Sequence, residues 1–265
     1  MMGRNDTNAP AVSSAELLDV ALTAAWSGAD VLKAGARGSF RVTNKGSEDG
    51  NLVTDVDVEA EHAVRGVIQS RRPTDEITGE ELPPSGRHQA AQVRWSIDPL
   101  DGTTNFTRGI PFYATCVGAV DAAGRWLAGA VVAPALAKTY FAHRNGGAWL
   151  AEDGRVRRLT GPAGGRGARL LGMGYSYSAE IRAEQFRATA EQMRDYTDAR
   201  IFGSAALAIC AVAEGALDGF VETDLGEHDW AAAAVIAEEA GLRVTRPGPE
   251  SPTVAVDQGA SGSRR

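Results

Sequence analysis

The chain has 265 residues, of which 43% are hydrophobic and 23% charged, and it carries a formal net charge of -7. That balance describes a folded globular protein of one large domain or two packed halves and excludes global disorder. The acidic surplus argues against a nucleic-acid surface, yet leaves a small anionic substrate open, because bound divalent cations invert the field of an acidic site.

Residues 1–12 read as a flexible arm without the apolar core of a signal peptide, so a cytoplasmic location is expected. Ser13 and Glu16 suit a helix start, and an amphipathic helix follows to about Ala34. Asn44–Asn51 is polar and Gly-containing, a loop or hairpin tip, and a second helix spans about 57–70. Glu76–Gly79 leads a short strand into Glu80 and Glu81. Val93–Ile97, Tyr113–Val120, Trp126–Ala133 and Thr139–His143 alternate as strands do. After a Gly-rich loop at 161–167 come a helix near 180–195, a strand at Arg200–Phe202 and a helix at 204–214. A strand at Leu217–Glu222 and a helix at 229–240, closed by Gly241, follow. Residues 246–265 read as a loose tail in which Thr253–Val256 is a possible short strand. Cys116 and Cys210 each lie in an apolar run and read as buried, reduced thiols.

The densest chemical signal is Asp98-Pro-Leu-Asp101-Gly-Thr-Thr-Asn-Phe. A strand delivers Asp98, Pro99 stops it, and two carboxylates three positions apart around that turn converge on one point. The amides of Gly102 and Thr103 then face an anion, so one loop holds both a hard cation and a phosphate. Alone, these residues also read as a solvated turn. Their company shifts the balance: Glu80 lies just upstream at a strand end, and Asp229 opens the helix HDWAAAAVIAEEAG, where it also reads as an ordinary N-cap.

Together these segments resemble the inositol monophosphatase family, within the magnesium-dependent, lithium-sensitive phosphatases, over about Leu17 to Val244. Asp98 to Phe106 matches the family's first signature. The second, Trp-Asp and two small residues ending in Glu-Ala-Gly, is kept at Asp229 and Glu239-Ala240-Gly241, but His228 stands where the family has tryptophan and Trp230 follows. The resemblance implies two or three Mg2+ ions, with Mn2+ a possible substitute. Glu80, Asp98 and the Leu100 carbonyl would hold the first, and Asp98, Asp101 and Asp229 the second. Gly102 and Thr103 would bind phosphate. Thr103 and Glu80 would position a water, Asp57 would pair with Thr103, and Lys45 would sit near a metal or the phosphate. Gly203, Ser204, Ala205, Glu222 and Asp229 would contact substrate, although Glu222 also reads as a solvent-facing strand end. His228 is either structural or reaches the leaving group.

The implied architecture is α+β / α/β, the layered αβαβα sugar-phosphatase fold. An N-terminal α+β half (13–146) would carry most metal ligands and a C-terminal α/β half (147–245) the pocket and Asp229. A homodimer, no nucleic acid and no membrane are expected. Inositol 1-phosphate leads among the substrates, with histidinol phosphate, fructose 1,6-bisphosphate and 3′-phosphoadenosine phosphate as alternatives. From other classes come a non-catalytic metal-binding regulatory relative and, lower, a glycosidase.

Overall fold

The computed structural model describes residues 12–45, 51–86, 91–164, 167–249 and 251–259. Residues 1–11 of the expected arm, most of the 44–51 loop and the last residues of the tail lie outside them.

Helix α1 (Ser14–Gly35) opens at Ser13, whose Oγ accepts from the Glu16 amide, and α2 (Asp55–Arg71) opens at Thr54. Between them β1 (Val42–Asn44) and β2 (Leu52–Thr54) form an antiparallel hairpin. A seven-stranded sheet then takes β3 (Glu76–Gly79), β4 (Val93–Asp101), β5 (Ala114–Asp121), β6 (Trp126–Ala133), β7 (Lys138–His143), β8 (Gly147–Glu152) and β9 (Arg155–Leu159) in chain order. Only β3 and β4 run parallel; every later neighbour is antiparallel. The short helix α3 (Thr103–Thr107) leaves the end of β4.

The second sheet contains β10 (Leu170–Met173), β11 (Asp198–Arg200), β12 (Gly219–Thr223), β13 (Arg243–Thr245) and β14 (Thr253–Asp257), in the order β11-β10-β12-β14-β13. Its helices are α4 (Ala179–Gln192), α5 (Ala205–Glu214) and α6 (Glu227–Glu239). Helices α1 and α2 cover one face of the large sheet, and α5 and α6 fill the space between the two sheets. Helix α4 is tied to the end of β12, where Gln185 Nε2 donates to the Thr223 carbonyl, and the layers read αβαβα.

The first sheet continues past Gly146 through β8 and β9 to Leu159 and stops just before the Gly-rich loop. In the C-terminal region the short strand expected at Thr253–Val256 is β14, which pairs with both β12 and β13 and buries Val254 and Val256 completely. Its five residues alternate inward and outward, which is the pattern of a strand packed on one face.

Alanines and glycines set the spacing of the middle layer. Gly118 on β5 and Gly129 on β6 are register partners, and Ala232 of α6 sinks onto them. A Cβ on Gly129 would lie 2.3 Å from the Ala232 carbonyl oxygen, and one on Gly118 3.2 Å from the Ala232 nitrogen. This close approach fixes the height of α6 over the sheet. Trp230 joins the same layer, edge-on to Trp126 at 5.8 Å, and is buried.

Candidate active site

Pairing between β4 and β5 lapses between Asp98 and Asp101, where Pro99 has no N–H to give the ladder. Asp98 Oδ1 accepts from the Leu100 amide at 3.0 Å, and Thr115 donates to the Pro99 carbonyl at 2.9 Å, so the irregular stretch is held from both sides. Gly102 turns the chain into α3 with φ 98°, and a Cβ there would lie 2.7 Å from the Phe112 oxygen. Glycine is required on both counts.

Asp101 Oδ2 accepts from Ser204 Oγ at 2.6 Å and from the Ala206 amide at 2.8 Å. It therefore sits at the N-terminus of α5, where the helix dipole favours negative charge. Asp229 is the third residue of α6, not its N-cap. Its Oδ2 accepts from the Gly226 amide at 2.6 Å, so one oxygen closes the helix start. Asp98, Asp101 and Asp229 each offer an oxygen within 4.8 Å of the others. Glu80, Asp98 and His228 form a second such group, so Asp98 is common to both.

Burial, then the neighbouring charges of Glu80, Asp101 and Asp229, push the Asp98 carboxyl well above its ordinary range. Burial and Asp229 push Asp101 up to about 7, against the hydrogen bonds from Ser204 and Ala206. Asp229 is raised by burial, opposed by His228. Packed like charges of this kind are costly without a compensating cation. The Asp98–Asp101–Asp229 group offers oxygen donors alone, which fits a hard divalent ion.

Behind this group, Thr103 Oγ1 lies 3.0 Å from Asp57 Oδ1 and 3.1 Å from the Leu100 oxygen as a donor to either. Asp57 Oδ2 accepts from Thr54 N at 2.8 Å, completing a capping box at the start of α2. Helix α2 thus begins two residues before the expected 57, and Asp57 serves the helix start and Thr103 together. Burial raises the Asp57 carboxyl despite the hydrogen bonds from Thr54 and Thr103.

Lys45 Nζ donates to Glu80 Oε1 at 2.6 Å and also to Glu81. Burial works against its charge, but the Glu80 and Glu81 carboxylates outweigh it and hold Lys45 protonated. The turn bearing Glu80 rests on a buried pair. Arg65 Nε donates to Glu61 at 2.7 Å, and Glu61 accepts from the Glu81 amide at 2.8 Å. Glu81 was not singled out by the sequence reading, though the doubled carboxylate Glu80-Glu81 was its signal.

Glu80, Asp98, Asp101, Thr103 and Asp229 line a cleft of about 460 Å³, and Gly203, Ser204, Ala205 and Glu222 line it with them. Asn105, another residue without an assigned role from sequence, ties the two sides: its Nδ2 donates to the Phe112 and Phe202 oxygens at 2.8 and 2.7 Å. Burial, then Asp229 and Asp101, push Glu222 up to about 8, which sets it apart from a solvent-facing strand end. Tyr177 was also missed; its hydroxyl meets Thr104 Oγ1 at 3.1 Å at the rim. Trp230 points into the core and leaves the cleft wall to His228. Cys116 and Cys210 are buried, and burial raises both thiols well above their ordinary range, which removes them as nucleophiles.

The sequence model of the Inositol monophosphatase family matches residues 13–265. The chain belongs to the inositol monophosphatase family. That membership places it among the metal-dependent phosphatases. It is 39% identical over 224 residues to the inositol-1-monophosphatase SuhB of Mycobacterium tuberculosis, covering 77% of this chain and 75% of that protein. It is 35% identical over 209 residues to a Vibrio cholerae protein named Nus factor SuhB, covering 78% and 75% respectively. The crystal structure of the extragenic suppressor protein suhB from Bartonella henselae superposes with a TM-score of 0.82 at 27% identity, covering 92% of this chain and 94% of that one. Among the described residues of this family member, no helix is long and apolar enough to cross a membrane.

Proposed function

We propose that this family member hydrolyses a small-molecule phosphate monoester, inositol 1-phosphate first, with Mg2+ held by Glu80, Asp98, the Leu100 carbonyl, Asp101 and Asp229. The observation that carries the reading is Asp98, a buried carboxylate shared by two groups of metal-competent donors. Magnesium there would supply positive charge to the transferring phosphoryl group and acidify a water.

The protein's own residues do the positioning. Thr103 has one hydroxyl proton, directed at Asp57 or the Leu100 oxygen, so its lone pairs remain to accept from a water. Asp57 stands ready to take charge through that hydroxyl. Glu80, paired with Lys45, faces the same cleft and is the second group to orient the water. The amides of Gly102 and Thr103 are assigned to the phosphate oxygens. Gly203, Ser204, Ala205, Glu222 and Asp229 are assigned to the organic part, with Glu222 suited to substrate hydroxyls as donor or acceptor near neutral pH. We assign the protein to the cytoplasm and expect a homodimer.

The test is phosphate release with Mg2+ from inositol 1-phosphate, histidinol phosphate, fructose 1,6-bisphosphate and 3′-phosphoadenosine phosphate, with Asp98→Asn as control. Turnover of inositol 1-phosphate above the others, lost in the variant, supports the reading. Full activity in Asp98→Asn would refute the site. The relative named as a Nus factor motivates a second reading, a regulatory protein that keeps its metals. Metal binding without turnover of any of the four compounds would favour it.

A further inference from the structure

We infer that His228 supplies a nitrogen ligand to the metal position it forms with Glu80 and Asp98, and that this position selects a first-row transition cation over magnesium. The inference rests on the proposed metal-dependent phosphatase and refines one of its two positions.

The geometry comes first. One ligand atom from each of Glu80, Asp98 and His228 lies within 4.8 Å of the other two. Three donors of a tetrahedral ion with bonds of about 2.1 Å stand ~3.4 Å apart. Inward side-chain movement of at most about 1 Å brings all three onto one ion. Among the described residues no hydrogen bond engages either ring nitrogen of His228; its Nε2 stands 3.7 Å from Asp229 Oδ1. The ring faces the cleft, in the first turn of α6, immediately before Asp229.

The ring is also braced. It lies against Gly226, where an added Cβ would come within 2.6 Å of His228 Cε1. Glu227, the residue before it in α6, is held by Arg94 of β4 through a two-pronged ion pair, one arm of 3.0 Å. Arg94 in turn donates to Thr78 Oγ1 at 3.2 Å, on the strand that leads to Glu80. The start of α6 and the Glu80 turn are thus fastened to the same pair of strands, which keeps the imidazole and the two carboxylates in register.

The donor chemistry then differs between the two positions. Asp98–Asp101–Asp229 offers oxygen alone and suits magnesium. Glu80–Asp98–His228 offers two oxygens and an imidazole nitrogen, and an imidazole favours the later first-row cations such as Co2+ or Zn2+ over Mg2+, which prefers oxygen. An indole at the same position has no lone pair to give, so the histidine changes what the wall of the site can bind.

The experiment uses the full chain, stripped of metal, with Co2+ and Mg2+ binding followed by equilibrium dialysis in wild type, His228→Ala and His228→Gln. Removing a ligand should weaken Co2+ at one position at least about tenfold, since even outer-shell losses cost that much. Mg2+ affinity should change less than about twofold. The Co2+-loaded wild type should show a strongly shifted, solvent-exchangeable imidazole N–H proton resonance that both variants lack. Loss of that resonance together with the selective loss of Co2+ affinity supports the inference. Unchanged Co2+ affinity, equal losses for both ions, or no such resonance in the wild type would overturn it, including the outcome where His228 acts only on substrate and moves KM alone. If the variants fail to fold, the wild-type Co2+ spectrum still decides. Wild type that binds neither ion would sink the phosphatase reading as well. Wild type that binds Mg2+ and releases phosphate, with Co2+ affinity indifferent to His228, would sink only this inference.

Discussion

Gly129→Ala should damage the catalytic site without touching it. The added methyl carbon would lie 2.3 Å from the Ala232 carbonyl oxygen, a backbone atom that no rotamer change can move aside. Ordinary carbon–oxygen contacts begin near ~3.3 Å, so α6 must lift by about 1 Å at that point. Ala232 lies one turn beyond Asp229 on the same helix, so the displacement reaches the carboxylate proposed to share an ion with Asp98 and Asp101. Overpacking of this type costs about 1–3 kcal/mol, and a 1 Å misplacement costs roughly 10²-fold in rate. At about 2–4 °C per kcal/mol the melting temperature should fall by roughly 2–12 °C. Calorimetry and steady-state phosphate release would be run beside Gly66→Ala, where a Cβ meets nothing within 4 Å on an exposed turn of α2. That control should gain up to about 1 kcal/mol and keep its rate. Wild-type rate and melting temperature in Gly129→Ala would refute the claim that the Gly118–Gly129 seat sets the position of Asp229.

Other expectations follow from the carboxylates. In metal-free protein Asp101 titrates at about 7, above the unfolded value, so its contribution to stability is full below about pH 4 and is lost as pH rises through 7. That is about 4 kcal/mol at most for this group; urea midpoints across that range should decline, and added Mg2+ should flatten the decline, whereas a rising profile would contradict the assignment. Thr103→Val keeps the side-chain shape and removes the hydroxyl that bridges Asp57; kcat should fall by roughly 10²–10⁴ with little change in KM, and a KM effect alone would assign Thr103 to binding. Lithium should inhibit phosphate release at concentrations that leave the melting curve unchanged; insensitivity would separate this member from the lithium-sensitive group.

The Asp98–Thr103 turn was legible because its chemistry is local. Asp98, Asp101, Gly102 and Thr103 fall in one turn, where residue type and spacing nearly determine geometry, whereas Asp229 joins Asp98 and Asp101 only through the packing of α6. What escaped was set by distant packing. Strands β8 and β9 include the exposed, arginine-rich segment Arg155–Arg158, which joins the sheet only at its edge, so no apolar alternation announces it. The strand at Thr253–Val256 was legible as β14, but its place between β12 and β13 was not, because that depends on two distant strands offering edges on either side. Asp57 shows how a short motif carries two meanings: its spacing from Thr54 writes a capping box, while its hydrogen bond to Thr103 spans 46 positions and depends on how α2 meets β4. His228 was read as structural or as a leaving-group contact. The turn of α6 that brings it to Glu80 and Asp98 involves a strand and a loop remote in sequence.

The placement of β14 between β12 and β13 has a consequence for synthesis on the ribosome. By the time β13 has emerged, the nascent chain already contains Glu80, Asp98, Asp101, Asp229 and Glu222. Yet β12, which carries Glu222, still has one open edge, and β13 has no partner until residues 253–257 arrive. A nascent chain at that stage presents acidic ligands on an unfinished frame, with two strand edges available to a neighbouring polypeptide. Late arrival of one short strand closes both edges at once, coupling assembly of the cleft to the end of translation of this segment.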